Sequence, residues 1–276
     1  MELKTRIDFC IVISVDGANP NGDPGNKNRP RQSYDGYGEI SDVCIKRKIR
    51  NRLQDMGENI FMQRDDRIDD GCKSLTDRAK SNKAMQDALK NRNEDEYTKI
   101  ACENWIDVRG FGQVFPFKGI SLSTHVRGCV SVGMARSLDV ILIEDLNISK
   151  SLNLITTEGK DNSTLGGYKY IVNHAAYVAY GSIFPQLAKL NGFTTEDAEK
   201  FYEAITTLFD GDTSAARPVG TMNVQKVYWW TQNEGEKQYA PIQVFRTLDF
   251  KPSDEYPFFT VEETPLPDLT PLVYEL

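Results

Sequence analysis

"RIDFCIVISV", Arg6 to Val15, reads as a strand with two apolar faces. Ile7, Phe9, Ile11, Ile13 and Val15 alternate with Cys10 and Val12, the pattern of a strand covered on both sides in the middle of a sheet. The chain then changes character. "NPNGDPGNKNRPR", Asn19 to Arg31, holds three Pro, two Gly, four Asn and three basic residues against one acid. It has no apolar face to bury, so Asp16–Ser33 is predicted as loop. A central strand thus delivers the chain into a basic loop.

Moving outward, "YDGYGEI", Tyr34 to Ile40, predicts a short strand or hairpin turning on Gly36. A helix is expected from an N-cap at Ser41, with Asp42 in its first turn, to Gly57. Ile45, Ile49, Leu53 and Met56 form its apolar stripe, and Lys46, Arg47, Arg50 and Asn51 fall opposite, where they are expected to face outward. Arg64–Glu103 is polar, with few aromatics, and reads as a partly mobile insertion over the domain. Strands are expected at Val126–Ser137, Asp139–Glu144, Tyr168–Ile183, Val224–Trp230 and Ile242–Leu248, with a loop or hairpin tip at Leu154–Gly167. Phe193–Phe209 starts like a helix, with Thr194 as N-cap, Asp197 three residues on and Phe193 as a staple, and its stripe is Ala198, Phe201, Ile205 and Leu208. The acidic Pro-rich tail after Pro252 is expected along the surface. The whole reads as an α+β sandwich with helices on one face.

The 276 residues suit one large domain, and the 39% hydrophobic content is enough for a core. No apolar run approaches the roughly 20 residues of a membrane span, so no membrane partner is expected. Met1–Arg6 leads straight into a strand pattern, so no signal peptide is expected. Five scattered cysteines, an odd number, point to a reducing cytoplasm. Net charge is −7, yet between Lys27 and Arg52 eight basic residues face three acids, a local +5 that leaves −12 elsewhere. A polarised distribution of this kind permits a nucleic-acid partner that the total would discourage.

Metal motifs fail on spacing. Setting Gly22 at the sixth position of a calcium loop puts Gly17 and Asn28 where acids are required. Two histidines, His125 and His174, and no paired cysteines make no zinc set, and no cofactor is expected. "RGFGQVFP", Arg109 to Pro116, approximates the third-strand signature of an RNA-recognition motif but misses at Gln113 and Pro116, leaving Arg109 as a candidate contact. The basic helix face is the stronger signal. A Ser-capped N-terminus beside it supplies N–H donors, and Lys27, Arg29 and Arg31 lie a short chain distance away, a set suited to a phosphate backbone.

In order, "NPNGDPGNKNRPR", "SDVCIKRKIRN", "DVRGFGQVF", "RGCVSVGMARSLD" and "FDGDTSAARPVGTMNVQKVYWW" resemble the CRISPR-associated backbone subunit of the type I-C Cascade surveillance complex, the Cas-seven group of the RAMP superfamily. The resemblance implies a modified RRM (ferredoxin-like) palm with a finger-type insertion near 64–105 and a thumb hairpin near 152–173. It implies a non-catalytic subunit that stacks head to tail along a CRISPR RNA guide and supports target DNA recognition (R-loop formation). Other Cascade subunits and a separate helicase-nuclease are the further partners. Carried over, Ser41, Lys46, Arg47 and Arg50 become guide-phosphate candidates, with Arg29 and Arg31 just ahead of them. Leu165 becomes the thumb's apolar wedge, with Lys169 as its remaining charge. Gly167 and Tyr170 replace the family's basic and His positions, and Pro218 and Val219 interrupt its pattern after Arg217, a further candidate. The alternative is a metal-dependent RAMP ribonuclease, in which Asp16 and Asp23 would hold Mg²⁺.

Overall fold

The computed structural model describes residues 1–116, 123–149, 165–234 and 238–276. First come β1 (Ile7–Ala18), the short ribbon β2 (Gly22–Asp23) and β3 (Arg29–Pro30), β4 (Tyr37–Ile40) and α1 (Asp42–Asp55). A helical stretch follows, α2 (Leu75–Ser81), α3 (Lys83–Lys90), α4 (Glu94–Asn104) and α5 (Ile106–Phe111), then the hairpin β5 (Gly112–Pro116) and β6 (Ser123–Arg127). β7 (Val130–Val132), β8 (Ala135–Val140), β9 (Ile143–Ser149) and the long β10 (Leu165–Ile183) lead to α6 (Pro185–Asn191), α7 (Thr195–Thr206) and β11 (Met222–Thr231). Last are α8 (Pro241–Phe245), β12 (Leu248–Pro252), β13 (Phe259–Glu263) and β14 (Leu272–Glu275).

The main sheet runs β14-β11-β1-β10-β8-β4, and β7 and β9 pair with other parts of β10. Its pairings are antiparallel. β1 sits between β10 and β11, and its two faces enter two cores as its alternation predicts. Ile7, Phe9, Ile11, Ile13 and Val15 join Ile45, Ile49 and Leu53 of α1 and Ala198, Phe201 and Ile205 of α7. Cys10 and Val12 join Tyr228, Trp230, Val244, Leu248 and Phe259. The second face is therefore covered too, by α8 and the β12–β13 hairpin, where one-sided helix cover was expected. Asp8 points into that second face and is fully buried. Its carboxylate accepts from Arg6, from Ser182 Oγ at 2.7 Å and from Gln232 Nε2 at 2.9 Å, which offsets the cost of removing it from water.

Local signals set several boundaries. Ser41 Oγ accepts from Cys44 N at the start of α1, and Thr194 and Asp197 exchange the expected capping box at the start of α7. Ile242–Leu248 is instead mostly helix: Pro241 presets φ for the first turn and Gln243 Oε1 accepts from Ala240 N at 2.9 Å. The alternating Ile242 and Val244 imitate a strand, but only Val244 is buried.

The polar stretch after Arg64 is not a loose cover. Ser74, Asn82 and Asn93 cap α2, α3 and α4 by accepting from the N–H three residues on. The helices bury Met85, Ala88, Tyr97, Ile100 and Ala101 against Phe61, Trp105 and Phe115 as a separate core. Arg78, itself buried, donates to Phe61 O at 2.7 Å and to Asp70 Oδ1 at 2.9 Å, which holds the Asp70 carboxyl down at about 2. A carboxyl whose folded pKa is depressed stabilises fully above its unfolded value of 3.8 and loses that contribution as pH falls toward about 2. Asp70→Asn should therefore reduce amide-exchange protection of this lobe at pH 5. The deficit against the native protein should shrink between pH 4 and 2, a window that follows from the same shift.

The first part of β10, ahead of Val172, leaves the sheet. Leu165 lies opposite Ser149 and Val172 opposite Ile143, so β9 and β10 form a two-stranded arm. The expected hairpin tip, the 152–164 part of the thumb and the side chain of Leu165 lie outside the described residues.

Candidate nucleic-acid interface

The Asn19–Arg31 loop is fixed by polar contacts where it has no core. Asp16 N donates to Thr221 O at 2.8 Å and Asn19 N to Ala216 O at 2.9 Å, tying the loop to the segment carrying Arg217. Asn21 Oδ1 accepts from both Ser41 N and Ser41 Oγ at 2.9 Å, tying it to the start of α1. Asn19 Nδ2 donates to Asn28 O at 2.8 Å, and a Cβ at Gly22 would lie 2.1 Å from Asn28 Oδ1, so a side chain there would displace the Asn28 amide. The turn leaves Lys27 exposed with φ +50. Arg31 Nη2 lies 3.6 Å from Asp23 Oδ1, and Arg31 Nε is buried without a hydrogen-bond partner. Arg29 reaches the arm, donating to Asp145 at 2.8 Å and lying 4.6 Å from the ring centre of Tyr170.

The basic helix divides. Lys46 pairs with Asp42 at 3.0 Å, and Arg47 donates to Met62 O. Arg50 does not face outward: it is 8% exposed and donates to Asp107 at 2.9 Å. The expectation fails because its partner lies 57 residues away in sequence. Lys48 is likewise buried against Asp212, and burial lowers its pKa despite that partner. Asp212 also accepts from Arg217 Nε at 3.1 Å.

Arg109 is not on a strand. It lies in α5 and grips Asp197 at 2.7 and 3.0 Å, with Cys102 O at 3.1 Å. The glycines that imitate an RNA-recognition signature serve packing. A Cβ at Gly110 would lie 2.6 Å from the Phe201 ring, and Gly112 caps the helix with φ +81.

The structure therefore gathers Lys27, Arg29, Arg31, Ser41 and Arg217 around one loop and leaves Arg50 and Arg109 in internal ion pairs. Lys48 and Arg217 line a cavity of about 200 Å³ shared with Arg52, Arg64 and Arg67, five basic side chains whose charge is offset in large part by four carboxylates, Asp55, Asp66, Asp210 and Asp212. A groove of about 630 Å³ on the other side of α1 is lined by Lys46, Arg50, His125 and Arg127 together with Phe111, and among the described residues no carboxylate lines it. Lys169 lies on the arm, opposite Leu146 in register. Asp23 accepts from Gly25 N at 3.1 Å as a turn former, and Asp16 is exposed. Among the described residues no three His, Cys, Asp or Glu side chains are grouped to share a metal ion, and no helix is long and apolar enough to cross a membrane. The five cysteines are free.

Sequence reading missed Asn21, Asp107 and Asp145, whose partners are set only by the fold.

A family model described as CRISPR-associated protein Cas7 matches residues 5–265. A curated protein of that name from Haloferax volcanii is 40% identical over 65 residues, 23% of this chain and 19% of the relative. The matched stretch thus spans about a fifth of that relative. Among solved structures, a chain of a CRISPR RNA-guided surveillance complex in a pre-nicking state superposes with a TM-score of 0.53 at 15% identity, covering 91% of this chain and 83% of its own. A chain of another CRISPR RNA-guided surveillance complex gives 0.49 at 16% identity, over 91% and 78%. The first of these is a likeness of fold. The family model spans nearly the whole chain, the basic loop included, and the chain belongs to the CRISPR-associated protein Cas7 family.

Proposed function

We propose that the protein is a non-catalytic subunit of an RNA-guided CRISPR surveillance complex of type I-C. Several copies stack head to tail along the CRISPR RNA guide and hold it ready to pair with target DNA, together with other Cascade subunits and a helicase-nuclease that cuts. The observation that carries this reading is the convergence on the Asn19–Arg31 loop. Hydrogen bonds tie it to the Arg217 segment and to the start of α1, and Arg29 ties it to the β9–β10 arm. Lys27, Arg29 and Arg31 are carried on that one loop, a set suited to a phosphate backbone whose contacts position a strand without reading it.

The order β11-β1-β10-β8, with α1 between β1 and β8 and α7 between β10 and β11, supports an RRM-like palm. On this reading the helical lobe is the finger, the arm with residues 152–164 is the thumb, and Lys46 and Lys169 add charge on either side. The acidic remainder suits heterologous stacking, in which unlike surfaces of successive copies meet. The free cysteines suit a protein that works in the cytoplasm. The test is the mass of complexes formed with single-stranded RNAs of increasing length. Mass should rise in equal steps, one copy per fixed increment of RNA. A single copy bound at every length would overturn the filament.

A further inference from the structure

We propose that the open edge of β14 and the cleft beside it bind an extended segment of another protein in which Lys or Arg alternates with β-branched residues. The site lies at the other end of β1 from the basic loop, and its chemistry is independent of nucleic acid.

β14 ends the main sheet on one side, and among the described residues no strand pairs with its outer edge. Leu276 N donates to Gln225 O at 3.0 Å, so the residues in step with it, Tyr274 and Leu272, turn their backbone groups toward β11. Val273 and Glu275 turn theirs outward, as donors and acceptors for a further strand. The opposite edge of the sheet is closed: at β4, Gln32 bridges Gly38 and Glu39 N donates to Arg31 O at 3.0 Å. Edge strands are ordinarily blunted by Lys, Pro or a bulge. The strand "LVYE" has none of these, and it leaves Leu272 57% and Val273 40% exposed.

Leu272 and Trp229 are opposite in register and share a face. Beside them a cleft of about 630 Å³ opens between the sheet, α7 and residues 1–5. Ile7, Trp229 and Leu272 give it an apolar floor, with the Tyr202 ring edge-on to Trp229 at 5.3 Å. Its charged lining is Glu2, Glu199 and Glu234 against Lys4 alone. Lys4 lies 3.7 Å from Glu234 and Lys189 3.5 Å from Glu2, both exposed pairs, and Glu199 has no ion-pair partner among the described residues.

A strand added to β14 places every second side chain beside Leu272, over this cleft. A Lys or Arg there lays its aliphatic stem on Leu272 and Trp229 and brings its charge to the glutamates. The intervening residues fall beside Val273, where a β-branched side chain covers apolar surface. The open backbone calls for a strand, and the charge of the cleft sets the sign of its side chains.

The test uses the full chain without RNA and a short fluorescein-labelled peptide of alternating lysine and valine. The peptide should bind and should protect the Val273 and Glu275 amides from exchange. A peptide of the same composition with its lysines in one block, and one with glutamate for lysine, should protect neither amide. Glu199→Lys with Glu234→Lys should weaken binding roughly tenfold at low salt, the combined effect of two exposed ion pairs, and the deficit should fade as salt rises. Glu144 and Glu255 are exposed and do not line the cleft, so Glu144→Lys with Glu255→Lys changes the net charge equally and should leave binding unchanged. The proposal is overturned if the alternating peptide fails to bind, if it binds no better than its block isomer, if the two amides stay unprotected in its complex, or if both double variants weaken binding alike. Protection of these amides in the free protein that is lost on dilution would make the edge a contact between copies and would overturn it as well.

Discussion

Arg50→Ala is expected to destabilise the protein by about 3–5 kcal/mol, the usual effect of removing one partner from a buried ion pair. Asp107 is 1% exposed and accepts from Arg50 at 2.9 Å, from Phe61 N at 2.7 Å and from Met62 N at 3.1 Å. The Arg50 guanidinium also lies 4.9 Å from the Phe111 ring. One carboxylate therefore joins α1, the segment after it and α5, and with them the main core and the helical lobe. Without Arg50 it stays in place as an uncompensated charge. Asp107→Asn keeps the shape but leaves the guanidinium unpaired, so it should be destabilising as well. The two single effects should exceed the effect of the double variant when combined, because each strands the other's partner. Urea titration of the four proteins measures this. An outward-facing Arg50 would behave otherwise: its removal would change stability by no more than about 0.5 kcal/mol, as for ordinary surface positions.

What the sequence revealed follows the range of the forces involved. β1, the Ser41 cap and the Thr194–Asp197 capping box were legible because their determinants lie within a few residues of each other. The two faces of β1 even announced that both sides of the sheet would be covered, although the strand-like spacing of Ile242 and Val244 hid the helix that does part of the covering. Arg50 and Arg109 were singled out on different local grounds, a helix face with no acid one turn away and a near-match to a strand signature, and neither ground carries the long-range partner. Asp107 and Asp197 arrive from 57 and 88 residues off. The helical lobe was obscured by composition, since a few apolar side chains and three caps suffice to fold it against Phe61 and Trp105. The loop from Asn19 to Arg31 was correctly seen as coreless, but its order comes from asparagine contacts to Ala216, Asn28 and Ser41 that no local pattern announces.

The most direct measurement is the salt dependence of single-stranded RNA affinity, for the native protein and for a variant carrying Lys27→Gln, Arg29→Gln and Arg31→Gln. Lys27 is exposed, and the Arg29 and Arg31 side chains are 30% and 39% exposed. Their pairs with Asp145 and Asp23 are surface pairs of little net strength, so the cations can exchange a carboxylate for a phosphate. Each phosphate neutralised on a single strand adds about −0.7 to the slope of log affinity against log salt. The native slope should be steep, and the variant's should be shallower by about 2, which reduces the affinity lost between 50 and 200 mM salt by roughly 20-fold. The variant should keep native stability, because the loop is held by asparagine and backbone contacts. A native slope near zero, or a variant whose slope is undiminished, would contradict the claim that this loop holds the guide.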